Sequence, residues 1–176
     1  MAAAVILTGF MGSGKSVVGR LLAKQLGWEF VDTDAVVENR TGRKIAELFD
    51  SEGEDAFRKM EEEAVIKSID ERRAGLGRVV SLGGGAVASS KVAGLLKKEP
   101  LVFFLDIDME TAFKRAGTKA RPLARNKDVF HRLFAEREHL YRRLAACVVD
   151  TRGKDVDIVA GEIIDEVHRR QQAGTA

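Results

Sequence analysis

The sequence has little cysteine and proline, and it has no long hydrophobic run. Cys147 is the one cysteine among 176 residues, so the chain cannot form an internal disulfide and is not a disulfide-stapled secreted scaffold. Every apolar run stops short of the roughly 18 residues that a membrane-spanning helix needs. The N-terminal apolar run follows no basic segment and ends in a glycine-rich loop, which is unlike a secretory signal. We therefore expect a cytoplasmic protein with no membrane association.

An excess of charge of either sign is also missing. Lys and Arg total 29 and Asp and Glu total 27, which leaves a net charge of +2. This balance gives no electrostatic reason to expect a nucleic acid partner. A hydrophobic fraction of 45% excludes global disorder, and the length fits one domain spanning residues 1–176.

Short apolar runs alternate with longer amphipathic stretches. The predicted strands are 4–8, 29–32, 79–82, 101–106 and 147–150. The predicted helices are 15–26, 34–40, 45–74, 90–97, 109–116, 129–144 and 156–170. Most of the strands are continuously apolar, as in a parallel sheet buried on both faces. The pattern predicts a three-layer α/β fold with helices on both faces of the sheet.

A phosphate-binding loop follows the first predicted strand. Residues 9–16 read GFMGSGKS, which matches GxxxxGK followed by Ser or Thr. The backbone N–H groups of such a loop surround phosphates, Lys15 contributes a positive charge, and the Ser16 hydroxyl can ligate Mg²⁺. The loop also opens a predicted helix, whose N-terminus favours anions. We therefore expect a nucleotide-dependent enzyme.

The loop alone does not separate kinases from GTPases. The guanine-reading NKxD motif is only approached by 126–128, and 50–53 fits DxxG within a charged helical stretch rather than at a strand end. These mismatches argue against a GTPase. The basic segment 117–128 favours a small-molecule kinase with a mobile lid that excludes water from the reaction.

Two carboxylates, Asp32 and Asp34, stand at the end of the second predicted strand, where ligands bind in open parallel sheets. Residues two apart on an extended chain point the same way, so both side chains can face the phosphate loop. One can serve Mg²⁺ and the other an acceptor hydroxyl. The alternative is that Asp34 caps the following helix.

Three glycines and two arginines complete the candidate set. The glycines 83–85 follow the third strand and allow a ligand close to the backbone, although a tight turn alone would explain them. Arg137 falls in an apolar helical stripe, where a guanidinium needs an anion from the protein or from a ligand. Arg58 can pair with Glu61 on one helix face, or the two can form a solvated surface pair.

In this order the motifs resemble the shikimate kinase family. The matching segments, from about residue 5 to 167, are GFMGSGKS, VDTD, TGRKIAELF with Phe57-Arg58, SLGGGAV, Arg121-Pro122-Leu123, and Arg137 with Tyr141. The resemblance implies a sheet of order 2-3-1-4-5 and transfer of the γ-phosphoryl group of ATP to the 3-hydroxyl of shikimate, with Mg²⁺. It also implies a monomer.

The resemblance assigns roles by position. The catalytic residues are Lys15, Asp34 and Arg121, the last in the lid. The nucleotide contacts are Gly12, Ser13, Gly14, Lys15, Ser16, Val17, Arg115, Arg121 and Lys154. The shikimate contacts, in part within a substrate region of about 33–61, are Asp34, Arg58, Glu61, Gly83, Gly84, Gly85 and Arg137. The metal residues are Ser16, as direct ligand, and Asp32, acting mostly through water.

Two positions depart from the family pattern. Ala124 stands in the lid where leucine is usual, and the spacing from Arg115 to Arg121 is about one residue short of the family's. Two other functions remain as alternatives: another small-acceptor kinase such as gluconate kinase, and a non-catalytic relative that binds nucleotide. The intact charged residues of the motifs argue against the second.

Overall fold

A central parallel sheet organises the fold. The structure, a computed structural model, describes residues 3–71, 76–116 and 126–173. The strands are β1 (Ala4–Thr8), β2 (Glu29–Asp32), β3 (Arg78–Ser81), β4 (Val102–Asp106) and β5 (Cys147–Asp150). They pair in the order β2-β3-β1-β4-β5, with every pairing parallel. The predicted α/β class and strand order are confirmed.

Helices follow the strands largely where the periodicity predicts them. They are α1 (Lys15–Leu26), α2 (Thr33–Thr41), α3 (Ile45–Glu52), α4 (Glu54–Asp70), α5 (Ser90–Leu96), α6 (Met109–Ala116), α7 (Lys127–Leu144) and α8 (Val156–Ala173), with a 3₁₀ turn at Ala86–Ala88. The prediction of one helix over 45–74 is wrong. Gly53, with φ of 81° and ψ of 169°, separates α3 from α4 because this conformation cannot continue a helix.

Apolar side chains cover both faces of the sheet. Successive side chains of β1 point to opposite faces and pack into two different clusters. Ile6 packs into a cluster with residues of α4, α5 and α7, whereas Val5 and Leu7 pack into a cluster with α1 and α8. Each fully buried side chain of this size stabilises the fold by about 2 kcal/mol. The two clusters therefore fix the helices relative to the carboxyl edge of the sheet.

A buried arginine places α4 against the sheet. Arg78, at the start of β3, is 7% exposed. Its guanidinium donates to Glu29 Oε2 on β2 at 2.8 and 3.0 Å and to the carbonyl of Ser68 on α4 at 2.7 Å. Since a buried guanidinium is costly without such partners, this network holds α4 in one position. The helix carries Arg58 and Glu61 to the candidate site.

The predicted lid falls mostly outside the described residues, as does Arg121. At its end, the Asn126 side chain accepts hydrogen bonds from the N–H groups of Asp128 and Val129 and caps α7. Among the helices that the structure describes, none has the length and apolarity to cross a membrane.

Candidate active site

The loop between β1 and α1 forms a concave backbone surface. Gly9, Gly12 and Gly14 have φ angles of 146°, 86° and 90°, which residues with a Cβ rarely adopt. A Cβ at Gly12 would also lie 2.4 Å from the carbonyl oxygen of Ala112 on α6. Conformation therefore requires all three glycines, and packing also requires the glycine at position 12. The N–H groups at the start of α1 open onto this loop and favour an anion there.

Lys15 lies within this loop. It is 8% exposed, and its Nζ donates to the carbonyl oxygens of Gly9 at 2.7 Å and Phe10 at 2.9 Å. Ser13 is also buried, with its Oγ 3.4 Å from the same Nζ. An ammonium group enclosed by the loop supplies a positive charge where a phosphate would bind.

The side chains of Ser16 and Asp32 meet beside the loop. The Ser16 hydroxyl donates to Asp32 Oδ2 at 2.5 Å, and Asp32 Oδ1 accepts from the N–H of Asp34 at 3.1 Å. Asp32 is therefore the cap of α2, and the alternative that Asp34 caps it is wrong. Asp34 lies in the first turn of α2 rather than on an extended chain. The helix, and not the strand alternation, therefore sets the direction of its side chain. Both carboxylates nevertheless line the same cavity.

That cavity, of about 760 Å³, brings most of the predicted acceptor contacts together. Its charged and glycine lining includes Asp34, Arg58, Glu61, Gly84, Gly85 and Arg137. Met11 of the phosphate loop forms part of the same wall, so the cavity adjoins the loop. The remaining wall includes the apolar side chains of Ile45, Phe49 and Phe57. Two guanidinium groups and apolar surface together suit a small carboxylated ring.

Arg58 and Glu61 form an ion pair at the cavity wall. Arg58 Nη1 lies 2.6 Å from Glu61 Oε2, and Arg58 also contacts Glu54 at 2.9 Å. Glu61 is only 3% exposed. Burial is the main reason that its pKa is raised, the neighbouring Asp34 raises it further, and Arg58 and Arg137 oppose the rise. The pair is thus largely buried rather than a solvated surface pair.

The glycine turn after β3 makes room for these charged groups. A Cβ at Gly83 would lie 2.3 Å from Glu61 Oε1 and 2.5 Å from Asp34 Oδ1. A Cβ at Gly85 would lie 1.8 Å from Arg58 Nη1. The turn is therefore glycine-rich because charged protein side chains pack directly on its backbone, a reason that the sequence pattern did not reveal.

Two hydroxyl groups hold this turn, and the sequence alone predicts a role for neither. The N–H of Gly83 donates to Thr33 Oγ1 at 2.9 Å, and the hydroxyl of Tyr141 donates to the carbonyl of Gly84 at 2.5 Å. Tyr141 follows Arg137 by one turn of α7, and Arg137 is itself 7% exposed. The four-residue spacing of Arg137 and Tyr141, which places both on one face of α7, is the sequence signal that points to Tyr141.

None of the predicted nucleotide contacts that the structure describes lines the cavity, and three of them also lie outside the phosphate loop. Val17 is exposed in the first turn of α1, Arg115 is exposed at the end of α6, and Lys154 pairs with Glu162 at 2.7 and 2.9 Å. Arg121 lies outside the described residues. The structure does not bring Val17, Arg115 or Lys154 to the acceptor cavity.

The two near-matches to GTPase motifs have structural explanations. Residues 50–53 are the C-terminal end of α3 and its glycine cap. Residues 126–128 are the cap and first turn of α7. Neither segment ends a strand at the nucleotide edge. The GTPase interpretation therefore finds no support in the described structure.

A phosphate loop, a neighbouring charged cavity and a sheet of order β2-β3-β1-β4-β5 define a small P-loop kinase that uses ATP. A family model described as shikimate kinase matches residues 11–168. A shikimate kinase of Moorella thermoacetica is 44% identical over 162 residues, which cover 90% of this chain and 91% of that protein. The chain belongs to the shikimate kinase family.

Solved structures of kinases have the same fold as this chain. The shikimate kinase from Acinetobacter baumannii in complex with shikimate superposes with a TM-score of 0.88 at 30% identity, covering 97% of this chain and 95% of the other. A gluconokinase from Sinorhizobium meliloti reaches a TM-score of 0.66 at 19% identity, with 97% of this chain and 94% of that chain covered. The second likeness shows a shared fold alone.

Proposed function

We propose that the protein transfers the γ-phosphoryl group of MgATP to the 3-hydroxyl group of shikimate, producing shikimate 3-phosphate and ADP. The observation that carries the proposal is the cavity beside the phosphate loop, where Arg58, Arg137 and Asp34 line one space. The related Acinetobacter baumannii structure is a complex with shikimate, which supports this choice of acceptor.

The phosphate loop binds ATP in this proposal. The backbone of Gly12, Ser13 and Gly14 and the start of α1 at Ser16 and Val17 surround the phosphates. Lys15 leaves the loop carbonyls to neutralise the β- and γ-phosphates. Arg115 and Lys154 contact the adenine, and Arg121 contributes a positive charge from the lid.

Ser16 and Asp32 fit a magnesium ion. Their side-chain oxygens meet at 2.5 Å, and Mg²⁺ prefers hydroxyl and carboxylate oxygens together with water. In our proposal Ser16 ligates the ion directly and Asp32 holds it mostly through water. When bound, Mg²⁺ neutralises charge on the phosphate oxygens.

The acceptor side of the cavity orients shikimate. Arg58 and Arg137 pair with its carboxylate, and Gly83, Gly84 and Gly85 contact the ring through their backbone. Asp34 aligns the 3-hydroxyl and accepts its proton as the oxygen forms a bond to the γ-phosphorus. The bond between that phosphorus and the bridging oxygen breaks, and ADP leaves with the electron pair.

Glu61 has a supporting role in this arrangement. Its ion pair at 2.6 Å holds Arg58 at the wall, and its other oxygen can accept from a ring hydroxyl. We further propose a cytoplasmic monomer that binds neither membrane nor nucleic acid. The net charge of +2 supports the absence of a polyanionic partner.

A coupled ADP-release assay tests the function. MgATP is supplied with shikimate, quinate, gluconate or no acceptor, and nucleotide binding is measured in parallel. We expect ADP release that depends on shikimate and exceeds the quinate, gluconate and background rates by at least about a hundredfold. Release with gluconate instead would identify another acceptor class. ATP binding without turnover on any acceptor would identify a non-catalytic relative.

A further inference from the structure

The hydroxyl group of Tyr141 joins two parts of the acceptor cavity. Tyr141 is 1% exposed, and its hydroxyl donates to the carbonyl of Gly84, which lines the cavity. Arg137, one helical turn before Tyr141 on α7, lines the same cavity. The hydroxyl thus ties α7, which carries a predicted carboxylate-binding arginine, to the glycine turn.

The direction of this hydroxyl is fixed by packing. The Tyr141 ring stacks on Phe104 of β4, with centroids 5.3 Å apart and planes 23° apart. Both rings belong to the apolar cluster on one face of the sheet. Because a ring in a close-packed core is held in one rotamer, the position of its hydroxyl at the cavity wall is fixed.

We propose that Tyr141 is a positioning residue for the acceptor: its hydroxyl ties α7, which carries Arg137, to the Gly84 backbone and so holds both in the geometry that receives a carboxylated ring. This inference rests on the proposed function and deepens it. Tyr141 touches neither the phosphates nor the reacting hydroxyl in this scheme. It acts through the Gly84 backbone and through the position of α7.

The hydroxyl is suited to this role because it stays protonated. Burial raises the pKa of Tyr141, with Glu61 adding to the rise and the guanidinium groups of Arg137 and Arg58 opposing it. A neutral phenol keeps the proton that it donates to the Gly84 carbonyl. Without this hydrogen bond, the glycine turn gains freedom relative to α7 that the acceptor must remove on binding.

Steady-state kinetics of Tyr141→Phe test the inference, because this change removes the hydroxyl and keeps the ring. We expect the KM for shikimate to rise about tenfold while the KM for ATP stays within about twofold. Leu144→Val is the matched control on the same helix, since Leu144 packs into the same cluster and does not line the cavity. It should lower Tm and leave the KM for shikimate unchanged.

An unchanged KM for shikimate in Tyr141→Phe would overturn the inference, as would equal rises in both KM values. If the wild-type chain shows no shikimate-dependent ADP release, the proposed function fails instead. The two failures are thereby distinguished.

A second measurement keeps the hydroxyl in place and does not depend on the stability of a variant. Tyr141 is the single tyrosine of the sequence, so incorporation of 3-fluorotyrosine labels this position alone. We expect shikimate, added without nucleotide, to shift the ¹⁹F resonance to saturation, and gluconate to leave it in place. Shikimate that binds without moving the resonance would contradict the inference.

Discussion

The phosphate loop and the acceptor cavity adjoin each other but are built in different ways. The loop is a contiguous segment, 9–16, whose shape comes from glycines with positive φ and from its own backbone. The cavity draws on the ends of β2 and β3 and on α2, α3, α4 and α7, with lining residues from Met11 to Arg137. The loop offers mainly backbone groups to a ligand, whereas the cavity offers charged side chains that other elements hold in place.

This difference predicts which kinetic and binding constants change when each region is altered. A change in the loop should affect turnover and ATP together and leave shikimate binding intact. A change in the cavity wall should affect shikimate binding or transfer to its hydroxyl and leave the KM for ATP unchanged. Three substitutions test that separation, beginning with the largest expected effect, and a fourth tests the buried charge at the cavity wall.

Lys15→Ala should lower kcat by about a thousandfold, because it removes the enclosed positive charge from the phosphate site. Binding of shikimate in the absence of nucleotide, measured by calorimetry, should stay within about threefold of wild type. Lys24→Ala, in the exposed last turn of the same helix, is the control and should retain activity. A parallel loss of shikimate affinity in Lys15→Ala would contradict the separation of the two regions.

Asp34→Asn should lower kcat by about a hundredfold, because the amide cannot accept the proton of the acceptor hydroxyl. The KM for ATP should change little. Asp50→Asn removes an exposed carboxylate from α3 and serves as the control. Activity of Asp34→Asn within tenfold of wild type would refute the catalytic role of Asp34.

Gly85→Ala should raise the KM for shikimate by about tenfold, since displacing a binding group by about 1 Å is costly. Gly85 has an ordinary φ of −94°, so its backbone tolerates alanine, but the new Cβ would lie 1.8 Å from Arg58 Nη1. The guanidinium must therefore move. Gly94→Ala on α5 is the control, because its Cβ would meet nothing within 4 Å. Similar kinetics in both variants would show that Arg58 does not hold the acceptor.

Glu61→Gln should have the smallest effect, visible in the pH dependence of stability. Because the folded-state pKa of Glu61 is raised, its stabilising contribution is fully present below its ordinary pKa of 4.5 and is lost as pH rises through the folded-state value. The free energy of unfolding of wild type minus that of Glu61→Gln should therefore fall as pH rises above about 4.5.

Urea unfolding at a series of pH values measures this difference. Glu63→Gln, which removes a more exposed carboxylate from the same helix, is the matched control. A wild-type advantage that grows with pH would contradict the raised pKa of Glu61.

The strand order shows how far the fold could be predicted. Apolar runs place the strands to within a residue of where the structure has them, because a sheet buried on both faces requires continuous apolar segments. The order β2-β3-β1-β4-β5 came from the family resemblance. The division of 45–74 at Gly53 was missed, because a positive φ depends on the path of the chain as well as on the presence of a glycine.

The residue types of the candidate site could be predicted from the sequence, whereas their burial and most of their hydrogen-bond partners could not. The spacing of Arg58 and Glu61 indicates their pairing, but their burial depends on α4 lying against the glycine turn. The cap of α2 was assigned to Asp34 as an alternative, whereas Asp32 occupies it, because the helix starts one residue earlier than its periodicity suggests.

The sequence by itself determined the phosphate loop, the alternation of strands and helices, and membership of a kinase family, because each depends on local order or on motifs in series. Only the tertiary structure decided that Asp34, Glu61 and Arg58 crowd a turn that must be glycine, and that Tyr141 reaches Gly84. These contacts join residues far apart in the chain. Their distances are fixed by how the helices pack on the sheet, which local sequence does not encode.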